Sequence, residues 1–541
     1  MPTRLLTVAP GLSFAYTQTS EECSMEAIET SLDIGFQYPF GEESCEHELE
    51  VLREKYPDYF YEESRFNQEA LDADTYLIVG RRGSGKTSLT QYFNFQKRYK
   101  NARSVDVDEP EIYQSILQKI ANSAYLSPDL AVNDVRKIWE YLIWSIIFNQ
   151  YAEQDTAIRN AAVVSGKKIK STRIISEIVN GLLSKYVGDD GRVMGALSET
   201  LADPVFNKAK ERALEYTRRE PIIIAIDTFE RYDRGNAAMM IVTASLVQCA
   251  NSFNIAYANK GIHVKAFVSA EIFPYIKESA ITNTTKFIRR PLYLRWRPKD
   301  LIRLISWRFY RYMTERKFKL PSKKVDWDDF DDILNKMWYP FFGKKVVNLR
   351  GIEEASFPYI LRHTQMRPRQ LVILCNNIAR ETIRNGKFPD FTSVPINKAI
   401  GECEYDLADE VLNSYDLIYP RVSEIVMALT DAPMIFDGKY LDQVAKKTSD
   451  VWAEGYSLSS FRRLLAELGI VGKVRNRNRG SKIIEADFEY AMQDRLVISN
   501  DDECVIHPMF YSKLRVVKNG LVVYPFPDHE DYTSMLGGKQ I

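Results

Sequence analysis

The octet GRRGSGKT, from Gly80 to Thr87, follows directly on the apolar run TYLIV at 75–79 and leads into SLTQYFNFQ at 88–96. It fits the pattern G-x-x-x-x-G-K-[ST], with Gly80, Gly85, Lys86 and Thr87 at the fixed positions and Arg81, Arg82, Gly83 and Ser84 between them. The order strand, loop, helix gives the pattern a physical meaning. Glycines let successive backbone N–H groups turn inward, and the helix that opens at Lys86, Thr87 and Ser88 adds its positive dipole end, so the loop suits phosphate oxygens. Lys86 is then expected to neutralise the outer phosphates of a nucleoside triphosphate, and the Thr87 hydroxyl to join a Mg²⁺ ion.

Such a metal also wants a carboxylate. The stretch REPIIIAIDTFERYD, 219–233, supplies an apolar strand that ends at Asp227, and ligands collect at the carboxyl ends of strands in α/β sheets. Asp227 is therefore expected to hold the metal. Thr228 follows it, and Glu230 is the next acid. Glu230 reads either as the residue that orients an attacking water or as a surface carboxylate paired with Arg231 or Arg234. ATP is preferred over GTP because the Asn-Lys pairs at 207–208 and 259–260 are followed two residues on by Lys210 and Ile262, neither of which supplies the carboxylate that reads guanine.

Outward from these two segments, short β-rich runs at 76–79, 104–107, 221–226, 264–268 and 292–294 alternate with helix-period stretches, the pattern of a parallel α/β sheet. A helical insertion, including 137–150 and 173–183, separates the second and third runs. The expected organisation is an N-terminal collar (1–70), an α/β nucleotide domain (71–297), a helical domain (298–416), a domain of short helices and strand pairs (417–515), and a hairpin and tail (516–541). Leu301, Ile305, Phe309 and Tyr312 share one helical face after Pro298, and Leu371, Leu374 and Ile378 share another after Pro368. The last hairpin is read from RVVK and LVVY joined by Asn519 and Gly520, which both tolerate positive φ.

The 541 residues exceed what one core usually organises, so roughly two to four domains are expected. The 72 basic and 73 acidic side chains nearly cancel, which leaves no whole-molecule field to draw nucleic acid or an anionic membrane. The six cysteines are scattered without a CxxC pair, arguing against a zinc site or disulfide framework. Apolar runs stay far short of a membrane span, and the N-terminus lacks a sustained apolar stretch, so a soluble cytoplasmic protein is expected.

Near the C-terminus, the spacing predicts a helix at 458–468 that places Leu458, Phe461, Leu465 and Leu468 on one face and leaves Arg462 and Arg463 outside. KVRNRNRGSK follows at 473–482, with Lys473, Arg475, Arg477, Arg479 and Lys482 and no acid among them. Alternate spacing puts the first four cations on one side of a strand whose other side, Asn476 and Asn478, has little to bury. The segment is expected to project as a basic wing. It reads equally as a DNA-backbone contact or as a solvated loop in a module used for protein contacts.

Taken together, GRRGSGKT, the strand ending at Asp227, the helical segment and the C-terminal helices with their wing resemble the AAA+ and STAND branch of P-loop ATPases, including the origin-recognition-like group. DTFER at 227–231 looks like a variant of the D-G-hydrophobic-D-E ending of STAND proteins, with an acid kept at the fourth place. The combination looks most like bacterial ATPases often found in anti-phage defence loci, and the likeness covers most of residues 70–515. It implies a P-loop domain with a helical insertion, a helical lid and a winged helix. It also implies a polar sensor at Ser269 with Glu271 close by, and an arginine-finger position that Lys286 occupies, with Arg289 and Arg290 near. A second sensor is implied among Arg367 and Arg369, of which Arg369, at a helix start facing the loop, is the expected one. The expected function is an ATP-driven switch acting through a partner or effector protein, able to form homo-oligomers. The alternatives are a DNA-bound initiator or loader, and a nucleotide-binding scaffold with negligible turnover. The missing acid directly after Asp227 favours slow hydrolysis.

Overall fold

The computed structural model describes residues 38–107, 128–162, 198–227, 237–279, 288–322, 324–453, 455–478, 482–491, 496–517 and 519–525. Five strands, β1 (Leu77–Gly80), β2 (Arg103–Val107), β3 (Ile222–Asp227), β4 (Ile262–Ser269) and β5 (Leu292–Tyr293), form one sheet in the order β2-β3-β4-β1-β5. All of its pairings are parallel. Continuous apolar runs such as IIIAI suit strands that are covered on both faces. Alternation divides these side chains accordingly. Leu77, Val79, Ile222, Ile224, Ile226, Val264, Ala266 and Val268 join the main core, whereas Ile78, Ile223, Ala225 and Phe267 join a second cluster with Phe66, Leu71 and Leu89.

The five expected strands are thus all present, in one sheet. The main-core face is covered by the helices Pro128–Tyr151 and Ala237–Tyr257, the first of which contains the expected 137–150 segment. The expected helix at 173–183 lies outside the described residues.

Beyond β5, the helix Pro298–Glu315 buries Leu301, Ile305, Phe309 and Tyr312, and Pro368–Arg384 buries Leu371, Leu374 and Ile378, as their spacing predicts. A short antiparallel pair, β6 (Lys345–Val347) and β7 (Glu353–Ala355), interrupts this helical region. Each of its strands is only three residues long, too short to show a period in sequence. The chain before β1 ties the two regions together. Phe40 stacks on Phe309 at 4.8 Å and its N–H donates to Asn376 Oδ1 at 3.1 Å.

A second sheet has the order β12-β10-β9-β11-β8, built from β8 (Ile435–Asp437), β9 (Val471–Asn478), β10 (Ile483–Asp487), β11 (Glu503–Ile506) and β12 (Val522–Tyr524). Helices Gly438–Lys446 and Leu458–Glu467 lie between β8 and β9 in the chain. The hairpin expected around Asn519 and Gly520 is not formed. β12 instead pairs in parallel with β10, and Val517 bridges to Pro433. The Asn519 and Leu521 carbonyls accept from Arg350, which holds the connection open against a different part of the chain. Among the described residues, no helix is long and apolar enough to cross a membrane.

One buried charge stands out in the first sheet. Lys265 of β4 is fully buried on the Phe267 side, and its ammonium donates to the carbonyls of Asp72 at 2.7 Å and Thr75 at 2.6 Å, where the chain leaves helix Arg65–Leu71. Burial pulls its pKa down to about 7, against the weaker opposing pull of Asp72 and Asp74. Above that pH the unfolded chain binds a proton that the folded chain has released, so stability rises with pH until the unfolded lysine also titrates. Relative to Lys265→Met, the parent should gain about 3 kcal/mol of unfolding free energy between about pH 7 and pH 9.5. Denaturant titrations across that range check it, and identical pH profiles for the two proteins would contradict it.

Candidate functional site

β1 ends at Gly80, and the loop that follows turns sharply, the Ser84 N–H donating to Arg81 O at 3.0 Å. Gly83 and Gly85 take φ of +74° and +93°, a left-handed backbone that other residues adopt at a cost. Gly85 caps the helix Lys86–Tyr92. Lys86 is only 5% exposed and bends back over the loop, its Nζ donating to Gly80 O at 3.1 Å and Arg81 O at 3.4 Å. The buried Ser84 hydroxyl has no hydrogen-bond partner among the described residues. A lysine that donates to loop carbonyls, beside a buried hydroxyl unsatisfied among the described residues, suits an anion in the loop.

The register of β1 with β4 sets Gly80 opposite Ser269 and brings the end of β4 to the loop. Glu271, 6% exposed, accepts the Arg82 N–H on Oε1 at 3.1 Å, and its other oxygen accepts from the Ser269 hydroxyl. Burial opposes its charge, but Arg367, Lys86 and Arg81, in that order, outweigh it and hold the carboxyl below its usual range.

The start of helix Pro368–Arg384 also reaches the loop, the Arg369 N–H donating to Gly83 O at 3.4 Å. A side chain at Gly83 would press on Arg369, its Cβ falling 3.1 Å from the arginine Cβ. The Arg369 guanidinium, however, is directed to Glu43 O at 2.9 Å and Glu410 at 3.2 Å. Arg367 is the arginine that reaches under the loop. It is 2% exposed and donates to Arg82 O at 3.1 Å and Gln365 Oε1 at 2.7 Å. Arg369 thus touches the loop at Gly83 and lines the space beside it while its guanidinium turns to Glu43 and Glu410, and Arg367 is the arginine whose guanidinium bonds a loop carbonyl.

Asp227 closes β3 as expected and is half-buried, one strand removed from β1. Glu230 and Lys286 lie outside the described residues. Arg289 donates its N–H to Tyr76 Oη at 2.7 Å, and Arg290, with its side chain 89% exposed, pairs loosely with Asp74 at 3.8 Å.

A cavity opens from Gly83–Ser88 toward a wall that includes Phe60, Phe66, Trp296, Leu304, Pro368 and Val372. Trp296 joins wall to loop, its indole N–H donating to Ser84 O at 2.8 Å while its ring meets Phe66 edge-on at 5.3 Å. Two polar atoms on the lining, Ser64 Oγ and Glu42 Oε1, are buried without partners among the described residues. This wall comes largely from residues 42–67, in which sequence reasoning identified no chemistry. A phosphate-sized anchor beside an aromatic cleft with unsatisfied polar atoms fits a nucleotide, whose base is flat and apolar on its faces and polar at its edges. Thr87 lines this cavity and Asp227 does not; a hydroxyl and a carboxylate are the oxygen donors that Mg²⁺ takes, few in number, with phosphate oxygens and water completing its shell.

The basic segment departs from expectation. β9 is the central strand of its sheet; residues 471–473 pair with β11, while Val474 and residues 476–478 pair with β10 alone. A bulge between Glu485 and Ala486 breaks the alternation at Arg475. Acids supplied by β10, β11 and the turn before β11 meet the cations: Lys473 pairs with Asp502 at 2.7 Å, Arg475 with Asp487 at 3.3 Å, and Arg477 with Glu503 at 3.0 Å. Arg462 and Arg463, expected outside, pair with Asp442 at 2.8 Å and Glu467 at 2.7 Å. The acids that meet Lys473, Arg475 and Arg477 lie outside the segment, which is why it looked uncompensated, whereas Glu467 is one helical turn from Arg463. Arg479 lies outside the described residues.

No protein-family model matches the chain, and no curated protein matches it significantly.

The ion pair of Glu48 with Arg308 lines the same cavity, with both side chains nearly buried. Removing one partner leaves an uncompensated charge, so Arg308→Met should lower the unfolding free energy of this region by about 3 kcal/mol or more. The double variant Glu48→Gln with Arg308→Met should recover part of that loss. Calorimetric melting of the parent, the two single variants and the double variant checks this, and strict additivity of the two changes would contradict it.

Proposed function

We propose that the chain is an ATP-binding switch of the P-loop type that uses Mg²⁺ and hydrolyses ATP slowly. The observation that carries the reading is the GRRGSGKT loop at the carboxyl end of an interior parallel strand, opening directly into an aromatic-walled cavity. Lys86 would exchange its two carbonyl partners for phosphate oxygens, Thr87 and Asp227 would hold the metal, and Glu230 would orient water. Helices Pro298–Glu315 and Pro368–Arg384 would serve as the lid, since both line the cavity, and the second sheet with its two helices would be the winged-helix-like module.

Contacts between the loop and that module support a switch. Arg81 donates to Glu467 O at 3.3 Å and lies 5.9 Å from the Tyr490 ring centroid. Gln365, two residues before Arg367, donates to Leu468 O at 2.7 Å. A loop rearranged by phosphate would thus be felt directly by the C-terminal module, which would change its engagement with a protein partner. The pairing of Lys473, Arg475 and Arg477 with acids favours this reading over a DNA-bound initiator, because a paired cation releases little on meeting a phosphate.

Lys86→Ala should weaken binding of ATP with Mg²⁺ by about 10- to 100-fold, the worth of a charge-assisted phosphate contact. Asp227→Ala should remove Mg²⁺-dependent hydrolysis while leaving metal-free binding in place. Isothermal titration and phosphate release measure these, and unchanged affinity in Lys86→Ala would refute the site.

A further inference from the structure

Glu271 occupies a place that the proposed chemistry leaves unexplained. A buried carboxylate normally repels phosphate, yet this one is bonded to the backbone of the very loop that would receive it, through the Arg82 N–H at 3.1 Å. It is held from both sides. The Ser269 hydroxyl satisfies its second oxygen, and Arg367, itself anchored to Arg82 O at 3.1 Å, is the cation that acts on it most strongly. Arg81 also faces Glu489, and Arg367 also faces Glu410. Lys86 leans over the carbonyls of Gly80 and Arg81, where Glu271 is its electrostatic counterpart. The carboxylate therefore takes a loop amide and shares the cations that an incoming anion would require.

Resting on the nucleotide-site reading, we propose that Glu271 is an internal anion that competes with the terminal phosphate of a nucleoside triphosphate, and so sets the preference of the site between triphosphate and diphosphate. The outermost phosphate of a triphosphate takes Lys86 as its counter-ion. It must then either displace Glu271 from Arg82 or stand beside a buried like charge, which is strongly unfavourable at such range. A diphosphate held by the loop amides from Gly83 to Thr87 makes a smaller demand on the Glu271 side. Displacement of Glu271 would also free Arg367, whose other bond, to Gln365, leads to the Leu468 carbonyl of the C-terminal module. The discriminating residue and the path to the module would then be one connected set.

The test compares dissociation constants of a non-hydrolysable ATP analogue and of ADP, each with Mg²⁺, for the parent and for Glu271→Gln. The amide keeps the shape and removes the charge. The ratio of triphosphate to diphosphate affinity should rise in the variant by on the order of tenfold. Ser269→Ala, which loosens the carboxylate without leaving a buried cation unpaired, should shift the ratio in the same direction by less, and it serves if Glu271→Gln fails to fold. An unchanged ratio in both variants, or a selective loss of triphosphate binding in Glu271→Gln, would overturn the assignment while leaving the nucleotide site intact. Absence of any nucleotide binding by the parent would overturn both.

Discussion

The parallel register of β1 with β4 is the constraint on which the site depends. By setting Gly80 opposite Ser269, it makes the two strands end at the same level, so that the loop leaving one and the Ser269–Glu271 pair leaving the other must meet. The Ala270 N–H donates back to Gly80 O at 3.1 Å and fixes that meeting at the backbone. Because β1 lies inside the sheet, between β4 and β5, the base of the loop is held on both sides, and the left-handed turn that its glycines permit starts from a rigid scaffold.

Packing around this anchor makes the cavity a junction. The chain from Phe40 to Leu71 wraps from the helical region to the sheet, with Phe40 against Phe309, Phe342 and Phe391 at one end and Phe66 in the second sheet cluster at the other. The wall is therefore shared among the segment before β1, the strand end near Trp296, the middle of helix Pro298–Glu315 and the start of helix Pro368–Arg384. Motion of any one of them alters the cleft, and motion of the loop reaches the C-terminal module through Arg81 and Gln365.

What could be read in sequence were features decided locally. The loop pattern, the run ending at Asp227 and the helical faces after Pro298 and Pro368 all depend on spacing within a few residues. Choosing between Arg367 and Arg369 needed more. Arg367 is the N-cap, with extended φ of −105° and ψ of 131°, while Arg369 is already inside the helix, so the two leave in different directions, and the periodicity of the helix says nothing about the residue before it. The hairpin reading at 519–520 failed because the partner of β12 is β10, some forty residues earlier in the chain. The acids facing Lys473 and Arg477 come from the other end of a sheet connection for the same reason. The aromatic wall from 42–67 carries no motif at all, since its residues are brought together only by tertiary folding. Glu230, on which the expected water orientation rests, lies outside the described residues.

The most direct measurement of the central claim is amide hydrogen exchange of the full-length chain with and without saturating ATP and Mg²⁺. A nucleotide bridging loop and wall should slow exchange together in 80–89, in 60–67 and at 368–372, three segments distant in sequence that all line this cavity. Protection confined to another part of the chain, or none at saturation, would contradict the account.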